Sequence, residues 1–343
     1  MQQIRQDNHY VTQSYLRRWS IDGNTIYGYR LLVSHENVPL WKQHSIRSIA
    51  YQKHLYTKTT KNGESDEFEK WIADEFENPA EGSINKVIEG KRLFPDDWDR
   101  LIRFAAVQYV RTPARLSENM NRWQNQIPEI QNRTLKRTQK TLEENKNYLR
   151  NAKSIVDKNS MPLEIRIVSD SESDQSRIEI NTLMGRSLWL WEMKNVLTKT
   201  FKILLRHRWY ILAAHPGFEW VTSDDPVICL NYYGNNKYDF KGGWGRKGSE
   251  IILPLSSEHL LYTQVGHKPI SKHSKTLNLE SSIRFQKLFI ERAFRWIFAK
   301  KPMDEIIAFR PRKVDANMFA SEKIEWRNWH LNQSSEEQKY NLE

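Results

Sequence analysis

The hydrophobic residues of this chain change their spacing along its length, and that change restricts the fold more than any other feature. Across residues 67–88 the apolar positions Phe68, Trp71, Ile72, Phe76, Ala80, Ile84 and Val87 recur every three or four residues, the period of a helix with one buried face. Pro79 falls inside this stretch and should kink or divide it. Pro95 and Asp96 start a second helix through Trp98, Leu101, Ile102, Ala105 and Val107, which Pro113 interrupts. A third, over residues 182–207, is apolar nearly all round and belongs in the interior. The pattern then turns to short runs at 209–213, 220–222, 226–230, 251–255 and 260–264, separated by Gly, Pro, Asp and Ser. These read as consecutive antiparallel strands, most simply a meander. The expected fold class is α+β: an antiparallel sheet from the C-terminal half packed against a helical layer.

The remaining segments fill in this frame. Residues 25–32 follow an Asp22-Gly23-Asn24 turn and read as an edge or hairpin strand. Asn278 can cap a helix through Ile283, Leu288, Phe289, Ala293, Trp296 and Ile297, and residues 306–309 could add a last strand. Residues 117–181 are rich in Asn, Gln, Lys, Arg and Glu, net basic up to residue 160, with sparse anchors such as Trp123, Ile127 and Leu149. Residues 169–175 then form an acidic turn or linker. The organisation expected is a single core domain from 1–116 and 182–325, a helical insertion at 117–181, and a polar peripheral tail at 326–343.

At 343 residues the chain can bury a sizeable core without a disulfide or a metal. Cys229 is its only cysteine, which excludes an internal disulfide and a cysteine-based zinc site and fits a reducing, cytoplasmic setting. No run approaches the roughly 18 apolar residues of a membrane span, so no membrane partner is expected. Lys and Arg number 53 against 42 Asp and Glu, a net +11 that should attract nucleic acid or another polyanion. There is no G-x-x-x-x-G-K-[ST], no G-x-G-x-x-G and no H-E-x-x-H. Nucleotide-driven motor work and zinc peptidase chemistry are therefore not indicated.

Three polar constellations stand out. The first is Asn8-His9-Tyr10-Val11-Thr12-Gln13-Ser14-Tyr15-Leu16-Arg17, in which Thr12 can cap a short helix and leave the His9 ring at a strand-to-helix junction, where it could transfer a proton near neutral pH. The second is Gln108-Tyr109-Val110-Arg111-Thr112-Pro113, with Gln108 and Arg111 on one helical face, an amide and a guanidinium suited to a carboxylate or phosphate. The third is Thr222-Ser223-Asp224-Asp225-Pro226-Val227, followed by Pro254-Leu255-Ser256. Each has a plainer alternative: a His9 bonded to backbone, an Arg111 paired internally, and an Asp224 whose carboxylate binds backbone N–H groups in a turn. Two further patterns, Arg30 with His35 and Asp225 with Asp239 and Lys241, have nuclease-like spacing but lie in strand-and-turn or loop contexts that argue against it.

Together the three constellations resemble the signatures of domain of unknown function 4238, whose members open on His-Tyr-Val-(Pro)-x-x-Tyr-Leu-Arg and carry Gln-x-x-Arg-Thr-Pro and Thr-Ser-Asp-x-Pro-Val. Thr12 stands here in place of the usual proline. Glu77 falls where the resemblance places a glutamate in the first long helix, whereas Glu69, the preceding one, is a position out of the usual interval. The family brings no activity with it. The reading favoured by the residues is a hydrolase acting on nucleic acid or another phosphate compound. In it His9 is general acid/base, Arg17 and Arg111 are anion clamps, Gln108 positions the substrate, and Asp224 with Glu77 orients the histidine or holds a divalent metal. Tyr10, Gln13 and Ser223 complete the substrate contacts. The alternative is a non-enzymatic nucleic-acid or nucleotide-binding module.

Overall fold

The computed structural model describes residues 4–60, 63–144, 161, 163–169, 176–235, 237–267 and 275–339. Its centre is a sheet buried on both faces. Strands Ile228–Tyr232, Ser249–Pro254 and His259–Gln264 form the expected antiparallel meander, Tyr210–Ala213 joins on the far side of His259–Gln264, and Tyr238–Asp239 and Lys275–Thr276 complete the two edges. Alternation along each strand explains why the runs are apolar throughout. Cys229, Ile251, Leu253 and Leu261 point into one core with the helices Pro95–Val110 and Arg186–Thr198. Ile228, Leu230, Ile252 and Leu260 point into the other, against Phe285, Leu288 and Phe289 of the helix Leu279–Arg292.

A second sheet has the order Thr222–Ser223, Trp296–Ala299, Thr25–Arg30, Trp41–Ser45. Thr25–Arg30 is thus an interior strand, not an edge. Asn278 does cap its helix, its Oδ1 accepting Ser281 N–H at 2.9 Å, but the helix stops at Arg292 and Trp296–Ala299 is a strand. Arg310 is the stop signal that local sequence hides: its Nη1 donates to the carbonyls of Glu291 at 2.9 Å and Ala293 at 2.7 Å, and also to that of Ile290. These are the orphan acceptors at a helix C-terminus. Residues 306–309, expected as a strand, are the end of a short helix Asp304–Phe309.

The expected break at Pro79 takes an unusual form. The helix Glu67–Ile72 passes through a π-helical turn, Ala73–Glu77, into Asn78–Ile88. Pro79 has no N–H to offer the Glu75 carbonyl and its ring would crowd that group; widening the preceding turn by one residue relieves both problems. Elsewhere, the segment expected as a purely helical insertion contains the long helix Pro113–Glu144 and also an antiparallel strand pair, Leu163–Ser169 with Ser176–Thr182. Leu149 and positions 170–175 of the acidic turn lie outside the described residues.

Residue 326 falls within a continuous helix, Ala316–Lys339. Near its end Glu337 is buried and accepts from Arg186 Nε at 2.9 Å and Nη2 at 2.5 Å, from Ser187 Oγ at 2.9 Å and from Thr59 N–H at 3.1 Å. Both partners of this ion pair have 0% side-chain exposure, so removing one strands a charge in the interior. Glu337→Ala is expected to lower unfolding free energy by about 3–5 kcal/mol, with the paired replacement Arg186→Met/Glu337→Leu costing clearly less; urea denaturation of the three proteins checks this.

Candidate functional site

The first constellation folds as its residues suggest. Asn8 and His9 end a short strand, Asp7–His9, paired with Tyr51–Lys53, and Thr12 Oγ1 accepts Tyr15 N–H at 3.3 Å to start the helix Gln13–Leu16. The capping hydroxyl thus does the work of the missing proline. The half-buried His9 ring lies beside Tyr51, centroids 5.5 Å apart, with Gln13 Nε2 3.5 Å from its Nε2. Burial first, and the Arg111 charge second, hold its pKa below the usual imidazole value, so it is neutral at pH 7. Arg17 is exposed and faces away from this cluster.

Arg111 is fully buried, and its guanidinium gathers distant parts of the chain. Nη2 donates to the His9 carbonyl at 2.5 Å and to Glu69 Oε2 at 3.3 Å, Nε donates to the Tyr56 hydroxyl at 3.3 Å, and Nη1 meets Glu77 Oε1. The two carboxylates balance its charge. They also explain the irregular interval between Glu69 and Glu77: the π-helical turn between them absorbs the extra residue and returns position 77 to the face that looks at Arg111. Burial, outweighing the Arg111 charge, pushes the Glu69 carboxyl upward. Gln108, one turn earlier and 0% exposed, has no protein partner for either amide atom among the described residues.

The third constellation divides its two aspartates. Asp224 Oδ1 accepts Phe294 N–H at 2.7 Å, and Oδ2 accepts the N–H groups of Arg295 at 2.7 Å and Trp296 at 3.1 Å. Asp225 accepts from Thr112 Oγ1 at 3.0 Å and from Arg292 Nε at 2.6 Å, with Arg115 Nε at 3.4 Å. Thr112 therefore joins the second constellation to the third, as Arg111 joins it to the first. Ser223 Oγ accepts Asp225 N–H at 3.2 Å. Both oxygens of Asp224 are engaged by backbone donors, and Glu77 Oε1 is held against Arg111.

One residue from each constellation reaches a common cavity. Tyr10, Pro113 and Asp224 line a space of about 720 Å³ that opens between the core and the helix Ala316–Lys339. The other walls are Arg30, Tyr51, Gln52, Lys53, His54, Phe294, Arg295 and Trp296 from the core, and Phe319, Glu322, Lys323, Trp326, Arg327, His330 and Leu331 from the helix. His9, Gln108, Arg111 and Glu77 stand behind this wall. The lining is cationic. Arg295 pairs with Glu322 at 2.7 Å, but Arg30, Lys53, Lys323 and Arg327 have no carboxylate partner among the described residues. The Arg30 guanidinium lies over Trp296 at 5.1 Å and Phe319 at 4.5 Å, and its buried Nε has no acceptor. Burial pushes the Asp224 carboxyl up to about 7 against the pull of its three backbone donors.

Lys53 and the helix residues were not singled out from the sequence, and Arg30 was noted only for its spacing from His35. The signal was present in the helix, where Phe319, Lys323, Trp326, Arg327 and His330 recur at three- and four-residue intervals on one face.

The chain belongs to the family described as protein of unknown function (DUF4238), which matches residues 7–302. No curated protein and no solved structure matches it. The matched span contains all three constellations and ends before the helix that roofs the cavity. No helix among the described residues is long and apolar enough to cross a membrane.

Asp224→Ala leaves three backbone donors unsatisfied and is expected to cost about 2–4 kcal/mol of stability. The cost depends on pH. Because the folded carboxyl titrates near 7 and an ordinary one near 3.8, the contribution of Asp224 is full below about pH 4 and is lost as pH rises through about 7. Urea denaturation of wild type and variant at pH 4.5 and 7.5 should therefore show the smaller difference at the higher pH.

Proposed function

We propose that this member of the DUF4238 family binds a phosphate-containing ligand, a nucleotide or the end of a nucleic acid strand, in the cavity beneath the helix Ala316–Lys339. The observation that carries this reading is an excess of cations around a space with aromatic walls. Arg30, Lys53, Lys323 and Arg327 make no close ion pair among the described residues, Arg30 keeping only the longer-range pull of Glu322, and Tyr51, Trp296, Phe319 and Trp326 supply ring faces. Such a combination attracts a ligand that carries both an anion and a planar base. The volume of about 720 Å³ suits a mononucleotide-sized group.

Among the two readings weighed from the sequence, the geometry favours binding over hydrolysis through His9. The clamp assigned to Arg111 is already closed on Glu69 and Glu77, and Arg17 is on the outer surface. A catalytic version of this proposal would use Asp224, the cavity-lining carboxyl that titrates near neutrality, with Tyr10 beside it. Its first duty is nevertheless to hold the 294–296 backbone, which favours a ligand that is gripped rather than cleaved.

The test uses the tryptophans of the cavity as reporters. Titration of the full chain with AMP, and separately with a short single-stranded oligonucleotide, should quench its fluorescence saturably at low salt. Arg30→Ala and the pair Lys323→Ala/Arg327→Ala are each expected to weaken binding by about tenfold or more, while Arg17→Ala leaves it unchanged. Binding of the oligonucleotide should also fall steeply with salt. Quenching that persists in all three variants, or none at low salt, would refute the proposal.

A further inference from the structure

At the end of the cavity away from Asp224, three metal-ligating side chains from distant parts of the chain come together. His54, Glu64 and His330 place a ligand atom each within 4.8 Å of one another. His54 and His330 line the cavity, their rings stacked with centroids 4.0 Å apart, and Glu64 reaches both, its Oε1 at 2.6 Å from His330 Nε2 and its Oε2 at 4.0 Å from His54 Nδ1. We propose that His54, Glu64 and His330 form a binding site for a first-row divalent cation of the zinc type, with its remaining coordination positions open to the cavity.

Four observations support it. Two imidazoles and a carboxylate are the donor set of three-ligand zinc sites that keep a position open, and imidazole nitrogen selects zinc or cobalt over magnesium or calcium. His54 Nδ1 is buried and has no hydrogen-bond partner among the described residues, although an imidazole nitrogen in that setting normally has one. The gap of 4.0 Å between that atom and Glu64 Oε2 is too long for a hydrogen bond and exceeds by only a few tenths of an ångström the ligand–ligand edge of about 3.4 Å that bonds of about 2.0–2.2 Å set in a tetrahedral site. The His54 backbone, at φ 52° in the left-handed region, is fixed by its N–H on the Gln6 carbonyl at 2.7 Å and its own carbonyl under Arg186 Nη1 at 3.4 Å, which sets the direction of its ring.

The surroundings define what binding must change. Without the cation His330 accepts from Arg186 Nη1 on Nδ1 at 2.9 Å and donates its Nε2 proton to Glu64. A cation on Nε2 replaces that proton, and the neutral ring then carries hydrogen on Nδ1. For Nδ1 to carry that hydrogen the ring must tilt from Arg186 Nη1 toward Ser334 Oγ, 3.5 Å away, which accepts it, while the planar guanidinium keeps its contacts with the His54 carbonyl and Glu337. A hydrogen-bonded second nitrogen of this kind is what orients a ligating imidazole.

The full chain, purified with chelator and exchanged into buffer free of phosphate and nucleotide, is dialysed against Zn2+ and titrated with Co2+. The expected result is one ion per chain, with Co2+ giving the visible absorption of a low-coordinate nitrogen-oxygen site, and no competition from a large excess of Mg2+. His54→Ala and Glu64→Gln should each weaken binding about 100-fold with an unchanged far-UV spectrum and melting curve in the absence of metal. Less than a stoichiometric ion in wild type, or equal uptake by both variants, overturns the site. Because no phosphate ligand is present, failure here leaves the anion-binding proposal untouched, and failure of that proposal leaves this one standing.

Discussion

The Arg111 guanidinium is the interaction on which the arrangement depends. A fully buried cation must be matched on all sides, and the chain meets that demand by bringing the His9 carbonyl, Tyr56, Glu69 and Glu77 to it. The partners come from three separate stretches, the opening strand, the loop at Tyr56 and the broken helix over residues 67–88, so satisfying one side chain fixes these and the helix Pro95–Val110 relative to one another. Thr112 and Asp225 extend the chain of contacts to the sheet, and Asp224 carries it to the strand Trp296–Ala299. The polar residues that mark the family are in this sense a spine. The cavity is formed where the spine meets the helix that crosses it.

Much of the fold could be read from hydrophobic spacing because burial imposes a period. The meander strands and the helices Pro95–Val110 and Leu279–Arg292 all follow from runs whose apolar faces must be covered. Where the reading failed, the deciding interaction came from far along the chain. Trp296–Ala299 is a strand because Thr25–Arg30 offers it a ladder, and its preceding helix ends because Arg310 takes up the free carbonyls. No window around residue 296 contains that information. The π-helical turn is an intermediate case: Pro79 announces a break, but only the need to align Glu69 with Glu77 says how it is resolved.

The site divides along the same line. The family resemblance leads to the expectation that the three polar constellations line one open cleft; Arg111 and Thr112 do link them, but as a buried network. Which of them would face a ligand was not legible. Tyr10 and Asp224 reach the cavity, whereas His9, Arg111 and Glu77 are spent on the network behind it and Gln108 is buried without a partner among the described residues. Of the helix cations that face the space, Arg327 lies in the tail read as peripheral and Lys323 just ahead of it, and both look like any solvated helix face until Arg30 and Lys53 are seen opposite. A surface and a wall differ only in what lies across from them.

The roofing helix is tied down at both ends, by Glu322 to Arg295 near one and by Glu337 to Arg186 near the other. A segment clamped in this way behaves as a beam and not as a door. To swing away at its Lys339 end it would first have to break an ion pair sealed from water, whereas the Glu322 end is held by a partly exposed pair, so a ligand of the kind proposed would pass on that side, past the long exposed side chains of Lys323 and Arg327. Entry is then governed by rotamers, which interchange far faster than buried anchors release, and the size of what gets in is set by a fixed span.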